Sequence, residues 1–284
     1  MSKFDVSDIE LVDVWNSSTF GREILAFLHE NQALLEEYHR EDERLESLDN
    51  NEHLAEKLQG NRYFSQFEDL QIHIASALAG RQIRVWHYTR LLDFEVAAMK
   101  GAIELSTAER MQARLAELKR RRLLTDQEFE ILLEGSSLKT QKEIRENRFF
   151  CVPSPIGVTD RGVELLLGNW GGEVVYFHQR NEALRRKLGT LGAPRVAEVA
   201  VEVFDPNSRY SLANCMLNTY ALDLGFPLYP TNIDLCIKED PPTARVLAVH
   251  TEGERDFHAL GCSYPEGAAL LSRRHEKCNK LFDD

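Results

Sequence analysis

The apolar positions of this chain change their period near residue 80. Before that point they recur at helical spacing. The run "FGREILAFLHENQALLEEYHREDERLESL" places Ile24, Phe27, Leu28, Leu34, Leu35 and Tyr38 three, four or seven apart, with charged residues between them, which predicts an amphipathic helical stretch. The Asn-rich "SLDNNEHLAEKLQGN" predicts a break and then a short helix stopped by Gly60. "SQFEDLQIHIASALAG" predicts another helix, with Ser65 as N-cap, Glu68 completing a capping box and Gly80 as the stop.

After residue 80 the pattern shortens. "RQIRVWHYTR" is β-branched and aromatic and predicts a strand over 83–89. "LDFEVAAMKG" predicts a helix from about Asp93 to Gly101, "AIELS" a short strand, and "TAERMQARLAELKRRRL" a helix capped by Ser106. A capped helix from Thr125 to Gly135, a strand "RFFCV" stopped by Pro153 and a helix "TDRGVELLLGN" follow. "GEVVYFH" then predicts a strand, "NEALRRKLG" a helix, "RVAEVAVEV" a strand and "SLANCMLNTYALDLG" a helix. "IDLCI" and "ARVLAVH" predict strands and residues 266–282 a last helix. Short strands separated by helices of unequal length, with no βαβ rhythm and no repeat, predict an α+β domain over 81–284 behind a helical segment over 1–80.

Composition narrows the setting. Of 284 residues 43% are apolar and 28% charged, an ordinary globular balance. No apolar run approaches the about 20 residues that cross a bilayer. The acidic start lacks the basic and apolar regions of a secretory signal. The five cysteines are scattered and odd in number, without a Cys-x-x-Cys pair. Together these features predict a reduced, cytoplasmic protein without a membrane partner. The net charge of −12 is concentrated in residues 1–80, with 17 Asp and Glu against 6 Lys and Arg. A solvated helical surface explains this; a docking face for a basic partner, or a shield for a nucleic-acid site elsewhere, is the sharper reading. His258, Cys262, His275 and Cys278 have zinc-like spacing. A terminal helix with Cys278 on its apolar face explains the same residues, so no metal is expected. Dinucleotide-binding, phosphate-loop, zincin and nucleophile-elbow signatures are missing.

Chemistry concentrates in "VWHYTR" at 85–90, "RFFC" at 148–151 and "NWGGEVVYF" at 169–177. On a strand, His87 and Thr89 share one face, and Trp86 and Tyr88 the other. Glu173 stands at the start of the predicted 173–178 strand, behind two glycines that would let a ligand reach the backbone. Plainer roles exist for each residue: His87 as a satisfied strand histidine, Glu173 in an ion pair with Arg148 or Arg195, Trp170 in the core, Arg90 at a sheet edge. The cluster "KRRR" at 119–122 suits a helix C-terminus, or, with the Arg pairs at 185–186 and 273–274, phosphates.

The ordered set HYTR, KG-x-x-x-LS, RFF and WGGE over about 81–204 resembles the ADP-ribosyltransferase superfamily: the His-type, bacterial toxin-like domains, including a poorly characterised HYTR…WGGE group. That resemblance implies a split mixed β-sheet that cleaves NAD as co-substrate. It implies that His87 hydrogen-bonds an NAD ribose beside Thr89, that Tyr88, Arg90, Ser106 and Arg148 help hold the dinucleotide, and that Phe149, Phe150, Tyr176 or Trp170 stacks on nicotinamide. Glu173 would accept from the nicotinamide-ribose 2′-OH and stabilise the cationic sugar as the glycosidic bond stretches. Relatives often keep an acceptor-guiding Gln or Glu two residues before the catalytic Glu; here that residue is Gly171. The implied activity is transfer to a macromolecule, nucleic acid or protein, in a toxin–antitoxin or anti-phage setting with a neutralising partner. A catalytically inactive relative that binds a partner or nucleotide, and an NAD glycohydrolase, are the alternatives.

Overall fold

The computed structural model describes residues 11–49, 53–226, 233–238 and 244–261. In chain order the elements are β1 (Leu11–Val12), α1 (Arg22–Glu30), α2 (Gln32–Ser47), α3 (Leu54–Gln59), α4 (Phe64–Ala77), β2 (Gln82–Leu91), α5 (Asp93–Gly101), α6 (Ala108–Arg120), α7 (Asp126–Glu134), α8 (Lys142–Arg145) and β3 (Phe149–Cys151). They continue with α9 (Arg161–Gly168), α10 (Glu173–Tyr176), α11 (Glu182–Leu188), β4 (Ala193–Glu202), α12 (Pro206–Asp223), β5 (Leu235–Ile237), β6 (Arg245–Thr251) and α13 (Arg255–Ala259). The protein is mixed, with a mixed sheet, compatible with an α+β class: β1 runs parallel to the first residues of β2, and β4 antiparallel to β6. The predicted final helix and the residues Cys262, His275 and Cys278 lie outside the described residues. Among the described residues no three His, Cys, Asp or Glu side chains are placed to hold a metal ion, and no helix is long and apolar enough to cross a membrane.

The chain divides into two compact units. The first contains the described residues up to Ile83 and takes back the described part of 202–233, so α12 joins the N-terminal helices. Eight residues of α12 are buried, from Leu212 to Ala221, because α4 packs along it and tertiary bonds surround it. Gln71 Nε2 donates to the Tyr210 carbonyl at 3.0 Å and Thr219 Oγ1 to the Val14 carbonyl at 2.8 Å. The long helical pattern of 21–48 resolves into α1 and α2, broken at Asn31, whose Nδ2 donates to the Phe27 carbonyl at 2.8 Å. Helix α4 starts one residue before Ser65, which therefore does not cap it. Gly80, at φ 76°, supplies the left-handed backbone of the stop.

The second unit holds residues 84–201 and the described part of 234–269. Strands β2, β4 and β6 are neighbours in that order. One apolar cluster, with Trp86, Tyr88, Val163, Leu167, Val196, Phe257 and Leu260, joins β2 and β4 to α9 and α13. A second cluster is helical: Met111, Leu115 and Leu118 of α6, Phe129 and Leu132 of α7, Val175 and Tyr176 of α10, and Leu184 and Leu188 of α11 close around Trp170. Strands β3 and β5 form a separate antiparallel pair. "AIELS" is not a strand: Ser106 only bridges to Arg148, and Thr107 rather than Ser106 caps α6. Thr125 and Glu128 form the expected capping box of α7.

A charged row crosses β2, β4 and β6. Glu198 meets Arg84 Nε at 3.2 Å and His250 Nε2 at 3.3 Å. The hydrogen bond to His250 lowers the Glu198 pKa, helped by Arg84 and opposed by burial. The bond to Glu198 raises that of His250, with Asp256 and Glu254 adding to it. A lowered carboxylate stabilises the fold above its ordinary value near 4.5 and loses that stability as pH falls through its folded value. A raised histidine stabilises below its ordinary value near 6.5 and loses that stability as pH rises through its folded value. The row is therefore expected to contribute most between about 4.5 and 6.5. Thermal unfolding across pH should show the difference between wild type and His250→Gln peaking in that window and shrinking on both sides.

Candidate functional site

The WGGE stretch is a turn entering a helix, which corrects the predicted strand at 173–178. Gly171 has φ 86° and Gly172 φ 64°, both left-handed, and Glu173–Tyr176 is a single helical turn. A Cβ on Gly171 would fall 2.8 Å from the Val175 Cβ and closer still to its Cγ2. The space beside Gly171 is thus filled by the chain's own valine, and backbone conformation accounts for both glycines. Glu173 opens the turn, where a carboxylate suits the helix N-terminus. Its backbone is pinned from outside: Ser137 Oγ donates to the Glu173 carbonyl at 3.1 Å and Ser136 Oγ to the Val174 carbonyl at 2.9 Å.

The Glu173 side chain is 42% exposed and accepts from Arg145 Nη1. Arg145, 11% exposed, is itself oriented by Gln141 Oε1, which accepts from Nε at 2.5 Å, and lies over the Phe177 ring at 5.0 Å. The expected ion partners Arg148 and Arg195 are engaged elsewhere. Arg148 donates to the Glu143 carbonyl at 2.7 Å and Arg195 pairs with Asp93. Next to the turn lies a hollow of about 290 Å³ lined by Glu134, Gly135, Ser136, Thr140, Gln141 and His178. His178 Nε2 and Thr140 Oγ1 are 3.1 Å apart across its wall.

His87 sits half-buried on β2, its ring 4.7 Å from that of Phe149. Its Nδ1 is 2.8 Å from the Phe150 carbonyl. A carbonyl only accepts, so Nδ1 carries the proton and Nε2 presents a lone pair. Burial lowers the His87 pKa, against the Phe150 bond and with help from Arg114 and Arg110. The imidazole is therefore neutral at pH 7 and able to accept from a hydroxyl. Thr89 is buried on the same strand face.

Other expected contacts are committed to the fold. Tyr88 is buried; its hydroxyl donates to the Ile156 carbonyl at 2.7 Å and accepts from the Ile156 N–H at 2.5 Å. Burial raises its pKa well above the ordinary phenol range. Arg90 donates to the carbonyls of Leu191, Leu167 and Gly192 at 2.9, 3.3 and 3.0 Å, fastening β2 to the turns beside α9 and β4. Trp170 is fully buried, its Nε1 donating to Glu95 Oε2 at 2.7 Å and Arg114 lying over its ring. Tyr176 is buried, its phenol pushed up to about 12 by that burial. None of these four presents a free face to a dinucleotide. Tyr88→Phe should lower stability by about 1–3 kcal/mol, because it takes both partners from the part-buried Ile156 backbone groups; denaturant unfolding measures it.

Phe150, 45% exposed, Ser106 and Arg148 remain near the surface. They converge with the two principal residues on one segment, 145–150. Arg145 at its start holds Glu173, and the Phe149 ring and Phe150 carbonyl at its end hold His87. Between them Asn147 takes a left-handed φ of 53°, its N–H donating to the Ser106 carbonyl at 2.7 Å, while the Ser106 N–H donates to the Arg148 carbonyl at 3.0 Å. Phe150 stands five positions after Arg145, so their backbones lie within about 18 Å of each other, and the Arg145 side chain reaches Glu173 from there. Arg145, Gln141 and the Ser136–Ser137 pair escaped the sequence reading. Their one signal was a Gln four residues before an Arg on a helix. The "KRRR" cluster is largely neutralised: Glu117 pairs with Arg120 and Arg121, and Asp126 with Lys119. Residues 273–274 lie outside the described residues. Neither a protein-family model, nor a curated protein, nor a solved structure matches this chain.

Proposed function

We propose that the protein is an NAD-cleaving ADP-ribosyltransferase in which Glu173 stabilises the sugar cation and His87 holds a ribose hydroxyl. The observation that carries this reading is the common anchoring of an exposed carboxylate and a neutral histidine acceptor on residues 145–150. The groups available for NAD fit it in part. His87 Nε2, Ser106, Arg148, Phe150 and Glu173 are at or near the surface, whereas Tyr88, Arg90, Trp170 and Tyr176 are occupied in the fold. The hollow lined by Ser136, Thr140, Gln141 and His178, near the lower end of ligand-site volumes, suits one ring of a dinucleotide rather than the whole.

In this reading the C1–nitrogen bond to nicotinamide breaks and its electron pair leaves with the neutral base. Positive charge spreads over C1 and the ring oxygen of the ribose, where the Glu173 carboxylate faces it. An acceptor N–H or O–H attacks C1, and its proton passes to the carboxylate or to water. Arg145 has a defined part: while it pairs with Glu173 the carboxylate's charge is compensated, and an incoming diphosphate competes for the same guanidinium. Incubation with NAD, with and without nucleic acid or protein acceptors, tests the reading through nicotinamide release and label transfer. Release coupled to transfer supports it. Release without transfer assigns an NAD glycohydrolase. No release with any acceptor overturns it in favour of an inactive binding protein.

A further inference from the structure

The stretches around Glu173 are net basic although the chain as a whole is acidic. Residues 137–150 and 173–187 hold eight Lys and Arg against four Asp and Glu, in a protein of net charge −12. Their nearer parts, 136–145 and 173–178, lie against each other: Ser136 and Ser137 bond the backbone of α10, Thr140 meets His178, and Arg145 reaches both Glu173 and Phe177. Three large apolar side chains of these two stretches are exposed, Ile144, Phe150 and Phe177. Lys139, Arg180 and Arg185 of the same stretches are exposed, with no carboxylate partner among the described residues. Free cations interleaved with exposed rings form the combination that holds single-stranded nucleic acid, in which phosphates meet cations and unstacked bases lie on aromatic faces. A duplex keeps its bases stacked and offers nothing to the rings. An acidic peptide would use the cations and leave the rings without planar partners.

We infer that this face binds single-stranded nucleic acid, as the acceptor brought to Glu173; its role as acceptor rests on the proposed transferase reading, its binding does not. The long acidic segment over 1–80 suits this, since its charge steers nucleic acid away from the rest of the chain.

Fluorescence anisotropy of labelled single-stranded RNA and DNA of equal length and mixed sequence, with the matching duplex and an unstructured acidic peptide, tests the inference without NAD. The single strands should bind more tightly than the duplex and the peptide, and the stronger of RNA and DNA identifies the sugar accepted. Phe150→Ala and Phe177→Ala should each weaken binding about 5- to 150-fold with an unchanged salt slope. Lys139→Glu with Arg180→Glu should reduce the slope of log affinity on log salt by about 1.4. These four side chains are solvent-facing, and circular dichroism of each variant checks that the fold persists. Equal binding of duplex or peptide, or affinity indifferent to all four substitutions, overturns the inference. Single strands bound without nicotinamide release under any condition leave the surface standing and remove the transferase reading. Nicotinamide release without strand binding does the reverse.

Discussion

Glu173→Gln is expected to lower the rate of nicotinamide release by about 10²–10³-fold, the usual effect of removing one preorganised electrostatic partner of a transition state. The amide keeps the shape and can still accept from a ribose hydroxyl, so NAD affinity should change little and the loss should fall on kcat. What disappears is the negative charge facing the sugar cation. The substitution also leaves Arg145 without its counter-charge, and Arg145→Gln separates the two effects. If Glu173 acts only as the partner of Arg145, both variants should behave alike, with small changes in stability typical of a partly exposed pair and no selective loss of kcat. If Glu173 faces the reacting sugar, Arg145→Gln should raise KM, where a diphosphate contact is lost, and retain far more of kcat than Glu173→Gln. Equal activity of wild type and Glu173→Gln would remove the carboxylate from the chemistry.

The helices and strands with clear period were legible in the sequence. β2, β4 and β6 follow from β-branched and aromatic runs, and α5, α7, α9 and α11 from capping residues and helical spacing. The failure at 173–178 has a physical cause. "EVVYFH" is β-branched and aromatic, and propensity alone gives a strand. Two left-handed glycines turn the chain first, and Val175 and Tyr176 then enter the helical core around Trp170, so tertiary packing decides. The return of α12 to the N-terminal helices was equally illegible, because a helix buried on nearly every side carries no amphipathic signal. At the candidate site the residue types HYTR and WGGE drew attention to two segments that both contact residues 145–150, yet the sequence could not separate surface groups from frame. Tyr88, Arg90 and Trp170 are engaged by backbone carbonyls and by Glu95, partners that arise only when distant segments meet.

That division between surface and frame is sharpest at Trp170, and its removal should be the most damaging single change to stability. Trp170→Ala is expected to cost about 3–5 kcal/mol from the lost ring and the cavity it leaves. A further loss comes from Glu95, a buried carboxylate that also accepts from the Leu92 N–H at 2.9 Å and from Arg114 Nε at 2.8 Å. Without the indole N–H, the buried Glu95 carboxylate loses one of its donors. Arg114 in turn loses the ring beneath it. Trp170→Phe keeps much of the ring and removes only the donor, so it isolates the hydrogen bond, with a cost of about 1–3 kcal/mol. Denaturant unfolding of the two variants orders them, Trp170→Ala well below Trp170→Phe and both below wild type. A nicotinamide-stacking role for Trp170 makes the opposite forecast: stability near wild type for both, with the loss appearing in KM for NAD. Because the indole is fully enclosed by α6, α10 and α11 and bonded to α5, the first pattern follows from the structure, and the aromatic partner of any bound ligand is to be sought among the exposed rings Phe150 and Phe177.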